Sequence, residues 1–171
     1  MSALKKINDT LEKCVMNIAG VLFLVMTALA ILQVGSRYAF NQPLTWTEEY
    51  ARFIFSYVVL FGSAILVRKK GHVTVTLITG QFKGSTKETV EMIAMIISLI
   101  FIVLMVYYGY MSAQRAALQT SAITETNMGF VYASVPISGL LMLLFQCETI
   151  LDVMKKNRSK TNAQEQTVPE E

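Results

Sequence analysis

The stretch "SRYAFNQPLTWTEEYARFIF", Ser36 to Phe55, joins two apolar runs and carries Arg37, Glu48, Glu49 and Arg52. How it divides between loop and helix decides how often the chain crosses a membrane. From Phe53 to Val67 there are 15 uncharged residues, roughly 22 Å of helix, short of a hydrocarbon core of roughly 30 Å. A helix that starts at Trp46 has 22 residues to Val67, roughly 33 Å, and spans. Glu48, Glu49 and Arg52 then sit in the first two turns of a membrane helix. The alternative leaves "FIFSYVVLFGSAILV" (53–67) stranded outside any span, so the longer helix is preferred.

The rest of the chain fits the same class. Of its 171 residues 53% are apolar and only 16% charged, and the charges are clustered. Residues 14–36 and 92–114 give 23 uncharged residues each, and 126–147 gives 22; each run is long enough to cross. The expectation is an all-α integral membrane protein with four transmembrane helices, at about 14–36, 46–67, 90–113 and 129–151, in one membrane domain of residues 1–156. Twelve of the fifteen Lys and Arg residues precede span one, lie between spans two and three, or follow span four. Only Arg37, Arg52 and Arg115 fall on the other side, which predicts both termini in the cytoplasm. Six of the seven tyrosines cluster with Trp46 at the outer ends, as an interfacial aromatic belt does; only Tyr57 falls mid-span.

Between the spans the signals are local. "MSALKKINDTLEK" places Leu4, Ile7 and Leu11 on one face and reads as a short interfacial lead-in helix. Lys5, Lys6, Lys13 and "ALA" (28–30) resemble a signal peptide, but the apolar run is too long and continues through Leu32, so retention is expected. "NQPLT" makes the outer turn, and "TWTE" (45–48) and "STKE" (85–88) have capping-box spacing. In "RKKGHVTVTLITGQFKGSTKE", Val73, Val75 and Leu77 alternate like a strand, while Leu77, Ile78 and Phe82 suit a helix face. A lone strand leaves its backbone unpaired, so an interfacial amphipathic helix between spans two and three is preferred. The outer connection "SAQRAALQTSAITETN" reads as irregular at its end, and Pro136 as a mild kink within span four. The tail from Asn157 to Glu171 has no apolar pattern and reads as disordered.

Little here can do chemistry. There is one histidine, His72, and no nucleotide-binding glycine pattern or metal-ligand spacing; no enzyme activity, cofactor, metal or nucleic-acid partner is expected. Cys14 and Cys147 are isolated at the cytoplasmic side and read as small apolar fillers. Glu48 and Glu49 complete a cap and favour a helix dipole, and Glu48 to Arg52 is an i,i+4 pair. Two acids and an arginine nevertheless exceed what one cap requires, leaving a partner-facing role open beside the structural one. Small residues at packing spacing recur at Gly109 and Ala113, at Ser134 and Ser138, and at Gly62, Ser63 and Ala64.

The motif Arg37-Tyr38, Phe40-Asn41, Pro43-Leu44, Trp46-Thr47-Glu48-Glu49, Ala51-Arg52, Gly62, Arg68 and His72 resembles the small membrane subunit (DctQ-like) of tripartite ATP-independent periplasmic (TRAP) transporters. "MGFVYASVPISGLLML" (128–143) resembles that family's last span; the resemblance covers roughly residues 15 to 150. An acid often found shortly after the histidine is absent, Thr76 standing there. The resemblance implies a bacterial inner-membrane scaffold, paired with a large, sodium-driven elevator subunit and a periplasmic binding protein that delivers an organic acid. Sialic acid is favoured over a C4-dicarboxylate, with no residue behind that choice. Glu48 and Arg52 share a helix face and are expected to pair with each other or with Arg37. Glu49, about 100° away, is expected to be freer to engage the large subunit or binding protein. With Arg37 and Trp46 these are the candidate site residues. The competing class, a self-sufficient small multidrug-type transporter, needs an intramembrane carboxylate, and residues 14–36 contain none.

Overall fold

The computed structural model describes residues 2–39, 44–70 and 85–165, with the side chains at 2–4, 70, 85–89, 91, 152 and 154–165 left aside. The chain forms α1 (Ser2–Ala39), α2 (Thr45–Lys70), α3 (Ser85–Ala116), α4 (Met128–Tyr132) and α5 (Ser134–Glu165). Four segments are long and apolar enough to cross a membrane: Lys5–Ala39, Thr45–Lys69, Met92–Ala116 and Met128–Leu151. Among the described residues the only β feature is an isolated antiparallel bridge between Thr120 and Asn127. In a bilayer each backbone polar group needs an internal partner, which a helix supplies by itself. The turn at "NQP", the interfacial segment between spans two and three with His72, and the last six residues lie outside the described residues.

The N-terminal lead-in is not a separate element. It continues into the first span as one helix of 38 residues, roughly 57 Å long. At the other terminus α5 runs to Glu165, past Asn157, where regular structure was expected to stop. Adding residues to an existing helix is easy even where nucleation is not, so the missing apolar pattern did not mark an end. Pro136 falls within one membrane-crossing segment, Met128–Leu151, just past the αR residue Ala133 that joins α4 to α5. It is the third residue of α5, where a missing N–H leaves no bond unmade. In an unbroken helix its ring would meet the carbonyl of Tyr132, and α4 ends at that residue.

The helices do not close into a bundle. α1 packs on α2 and touches α5 near Asn8, α2 packs on α5 and α5 on α3, while among the described residues α3 meets neither α1 nor α2. The spatial order is therefore a row, α1–α2–α5–α3, with α4 filling the corner between α3 and α5. A small core sits where the row is thickest, at Ala64, Ile102, Met142 and Phe145. Its closest approach is between α3 and α5. A Cβ on Gly109 would lie 2.7 Å from Val135 Cγ1, and one on Gly139 would lie 2.6 Å from Val106 Cγ2. Buried Ser138 and Thr149 donate to the carbonyls of Ser134 and Phe145, at 2.7 and 3.1 Å, so small polar side chains enter this contact satisfied. Gly62, by contrast, faces open space and takes no part in close packing.

A row leaves both broad faces uncovered. Val21, Leu24 and Ile31 of α1 and Ile97, Phe101 and Leu104 of α3 are exposed. Cys14 and Cys147 are exposed and free, so they do not fill the core as expected. Tyr57, the mid-span tyrosine, donates its hydroxyl to the carbonyl of Phe130, tying α2 to α4.

Candidate functional site

The charged residues gather at the two ends of the row. At the Trp46 end, Arg52 Nη2 lies 2.7 Å from Glu48 Oε1, one turn back on α2. The other Glu48 oxygen accepts from Gln33 Nε2 of α1 at 3.1 Å. Glu48 is thus shared between its i,i+4 partner and the neighbouring helix, and its α1 contact is Gln33, not Arg37. Arg37 is exposed in the last turn of α1. The capping box expected at "TWTE" does not form: helix begins at Thr45, and Glu48 spends its oxygens elsewhere. Thr47, fully buried, donates its hydroxyl to the Leu44 carbonyl at 2.6 Å and closes the first turn instead. Trp46 stands edge-on to Tyr50, and Tyr50 edge-on to Phe53, with ring centroids 6.3 and 6.1 Å apart.

Glu49 is the more committed acid, contrary to its expected freedom. One oxygen accepts the hydroxyl of buried Ser121; the other accepts the Thr124 N–H at 3.0 Å. Both partners lie in the connection between α3 and α4, which is folded rather than irregular. Ser121 N donates to Thr126 O at 2.9 Å and Met128 N to Gln119 O at 3.0 Å. Asn127 caps α4 through the Gly129 N–H at 2.8 Å and donates to the Ala117 carbonyl at 3.0 Å. Glu125 adopts φ 52° to close the turn. The Glu49 carboxylate is the link that fastens this loop to α2.

The other end holds a cluster that the sequence reading missed. Arg68, in the last turn of α2, has a side chain only 11% exposed. Its guanidinium contacts Asp9, reaches Glu12 Oε2 at 2.6 Å and lies 3.5 Å from Glu148 Oε2. It also donates to the Asn8 carbonyl at 2.7 Å and stacks over the Phe145 ring, 5.4 Å from its centroid. Asn8 Nδ2 donates to Glu148 Oε2 at 2.7 Å, and Lys69 Nζ lies 3.5 Å from Glu12 Oε1. Three helices meet here around one planar cation whose fork suits several carboxylates at once. The available signal was Glu148, which ends the uncharged run 126–147, and Glu12, separated from the run 14–36 by Lys13 alone, since a membrane-depth carboxylate needs a cation.

These arrangements pair charges and fix helices; they present no reacting constellation. Among the described residues no group of His, Cys, Asp and Glu is placed to hold a metal, and no buried side-chain polar atom lacks a partner.

Comparison with known proteins follows the same direction. The family model for the DctQ component of tripartite ATP-independent periplasmic transporters matches residues 26–156. A sialic acid TRAP transporter small permease protein of Vibrio cholerae is 32% identical over 152 residues, covering 85% of this chain and 86% of that protein. A sialic acid TRAP transporter permease protein of Haemophilus influenzae is 27% identical over 135 residues, 78% of this chain but 22% of that longer protein. A C4-dicarboxylate TRAP transporter small permease protein of V. cholerae is 26% identical over 108 residues, 60% of this chain and 47% of that protein. A row of four membrane-crossing segments, pinned by ion pairs at both ends and matched over most of its length by one family model, is thus a multi-pass inner-membrane protein that belongs to the DctQ component family of TRAP transporters.

Proposed function

We propose that this chain is the non-catalytic small membrane subunit of a sodium-driven organic-acid importer, and that it acts as a scaffold. Its partners are a large membrane subunit, which carries substrate and ions, and a periplasmic substrate-binding protein. The observation that carries the reading is the open row. Glu48 with Arg52 at one end, and Arg68 with Asp9, Glu12 and Glu148 at the other, are drawn into pairs, while the apolar residues of α1 and α3 remain uncovered. A carrier needs ionisable groups along its path; a scaffold needs apolar area to offer, and a row offers more than a bundle. The longer H. influenzae permease, of which this chain matches about a fifth, supports a partner considerably larger than the chain itself.

Sialic acid is the preferred cargo class, since two of the three relatives described are named for it and one for C4-dicarboxylates. The termini-bearing end, where Arg68 gathers α1, α2 and α5, is assigned to the cytoplasm from the Lys and Arg distribution. Glu48, Glu49, Arg52, Arg37 and Trp46 then lie at the periplasmic face. There the loop fastened by Glu49 offers a surface for docking. Co-purification from native membranes tests the reading. A large permease should accompany the tagged chain in stoichiometric amount, and recovery of the chain alone in a mild detergent contradicts it.

A further inference from the structure

Between α2 and the α4–α5 segment runs an apolar groove of about 460 Å³, in the range of small-molecule sites. Phe53, Ser56 and Val59 line it from α2, and Val131 and Val135 from the other wall. It runs beside Ala133, an αR residue through which α4 passes into α5. Arg52 is the lining residue nearest the Trp46 end of α2, and its side chain is 70% exposed. The guanidinium gives one nitrogen, Nη2, to Glu48, which leaves donors in a fork suited to phosphate. Both Glu48 oxygens are already engaged, by Arg52 and Gln33, so nothing beside the groove welcomes a headgroup amine.

We propose that this groove is a phospholipid site, holding one acyl chain against Phe53 and Val59 with an anionic headgroup phosphate on Arg52. The setting selects the occupant. The groove opens from a membrane-spanning helix pair, where the surrounding medium is acyl chain. Its one charged lining residue is a cation at the depth expected of a phosphate. Trp46 and Tyr50 lie within two turns of Arg52 towards the helix start, the level at which amphipathic aromatics meet headgroups. Trp46, Phe53 and Leu60 recur every seven residues and so share one face of α2. Trp46 is outside the groove's lining but on the Phe53 side of it, roughly 10 Å from Phe53 along the helix towards the Arg52 end.

That placement supplies the test, because Trp46 is the only tryptophan in the chain. The full chain is reconstituted in vesicles containing phosphatidylglycerol or phosphatidylcholine with brominated chains, at equal mole fraction, and quenching of Trp46 is measured. The anionic lipid should quench as though enriched about fivefold, the factor one arginine near the surface provides. Arg52→Gln should abolish the enrichment and Arg52→Lys should retain most of it. Val59→Phe, which fills the groove and keeps the cation, should also reduce it. Equal quenching by the two lipids overturns the proposal. Enrichment that survives Arg52→Gln, or that ignores Val59→Phe, overturns it as well, since the charge or the groove would then be irrelevant. The result does not depend on a transport partner, so it stands or falls apart from the scaffold reading.

Discussion

Arg68 Nε lies 3.5 Å from Glu148 Oε2, across the packed faces of α2 and α5, while the same guanidinium reaches back to Asp9 and Glu12 of α1. One cation thereby sets the spacing of three helices that have no hydrophobic drive to associate in lipid. The arrangement is mutual. Three carboxylates so close together require Arg68, and Arg68, its side chain largely covered, requires them.

Removing the cation should therefore cost more than removing one acid. Arg68→Leu leaves Glu12 and Glu148 half-buried without their main counter-charge, and a loss of about 3–5 kcal/mol is expected. Glu148→Gln keeps an acceptor for Asn8 and should cost less. Thermal unfolding of the two variants in detergent checks the order; equal midpoints for Arg68→Leu and the parent chain contradict it.

Glu49 should hold the α3–α4 connection. With Glu49→Ala the Thr124 N–H loses its acceptor, and its hydrogen exchange should speed markedly while amides in α2 beyond Phe53 stay protected. A Glu49→Ala, Ser121→Ala double-mutant cycle should show coupling of about 0.5–3 kcal/mol. Additive effects would mean that the carboxylate and hydroxyl act separately.

The close approach of α3 and α5 makes two glycines unequal. Gly139→Leu places atoms where Val106 already stands, and a loss of about 1–3 kcal/mol is expected from overpacking. Gly62→Ala meets nothing within 4 Å and should be neutral or stabilising, by up to about 1 kcal/mol from helix propensity. Unfolding midpoints of the pair test the contact; similar losses at both positions contradict it.

The number of spans was legible because membrane crossing leaves a one-dimensional trace, the length of an uncharged run. The start of α2 near Trp46 followed from length alone. The row was not legible, since lipid and packed helix are equally apolar and side-chain pattern does not tell one from the other. Glu48 with Arg52 was readable as neighbours four apart. Glu49 with Ser121 spans 72 positions and Asn8 with Glu148 spans 140, and no local rule couples such residues. The capping box misled for a related reason: Gln33, on another helix, competes for the carboxylate that the local motif assigned to Thr45.

Sidedness is tested directly by thiol labelling in intact cells, with Cys14 and Cys147 replaced by serine. A cysteine at Leu118, 90% exposed in the loop beyond α3, should react with an impermeant reagent from outside. One at Lys160, in the extension of α5, should react only after lysis. Labelling of both from the same side contradicts the assignment from the Lys and Arg distribution.

The central claim is that this chain supports transport and does not perform it. The decisive measurement is sodium-driven uptake of radiolabelled sialic acid into proteoliposomes, with the chain alone and with its large subunit and binding protein present. The account predicts no uptake by the chain alone and clear uptake by the assembled system, lost when this chain is left out. Sodium-independent uptake by the isolated chain, or undiminished uptake without it, contradicts the account.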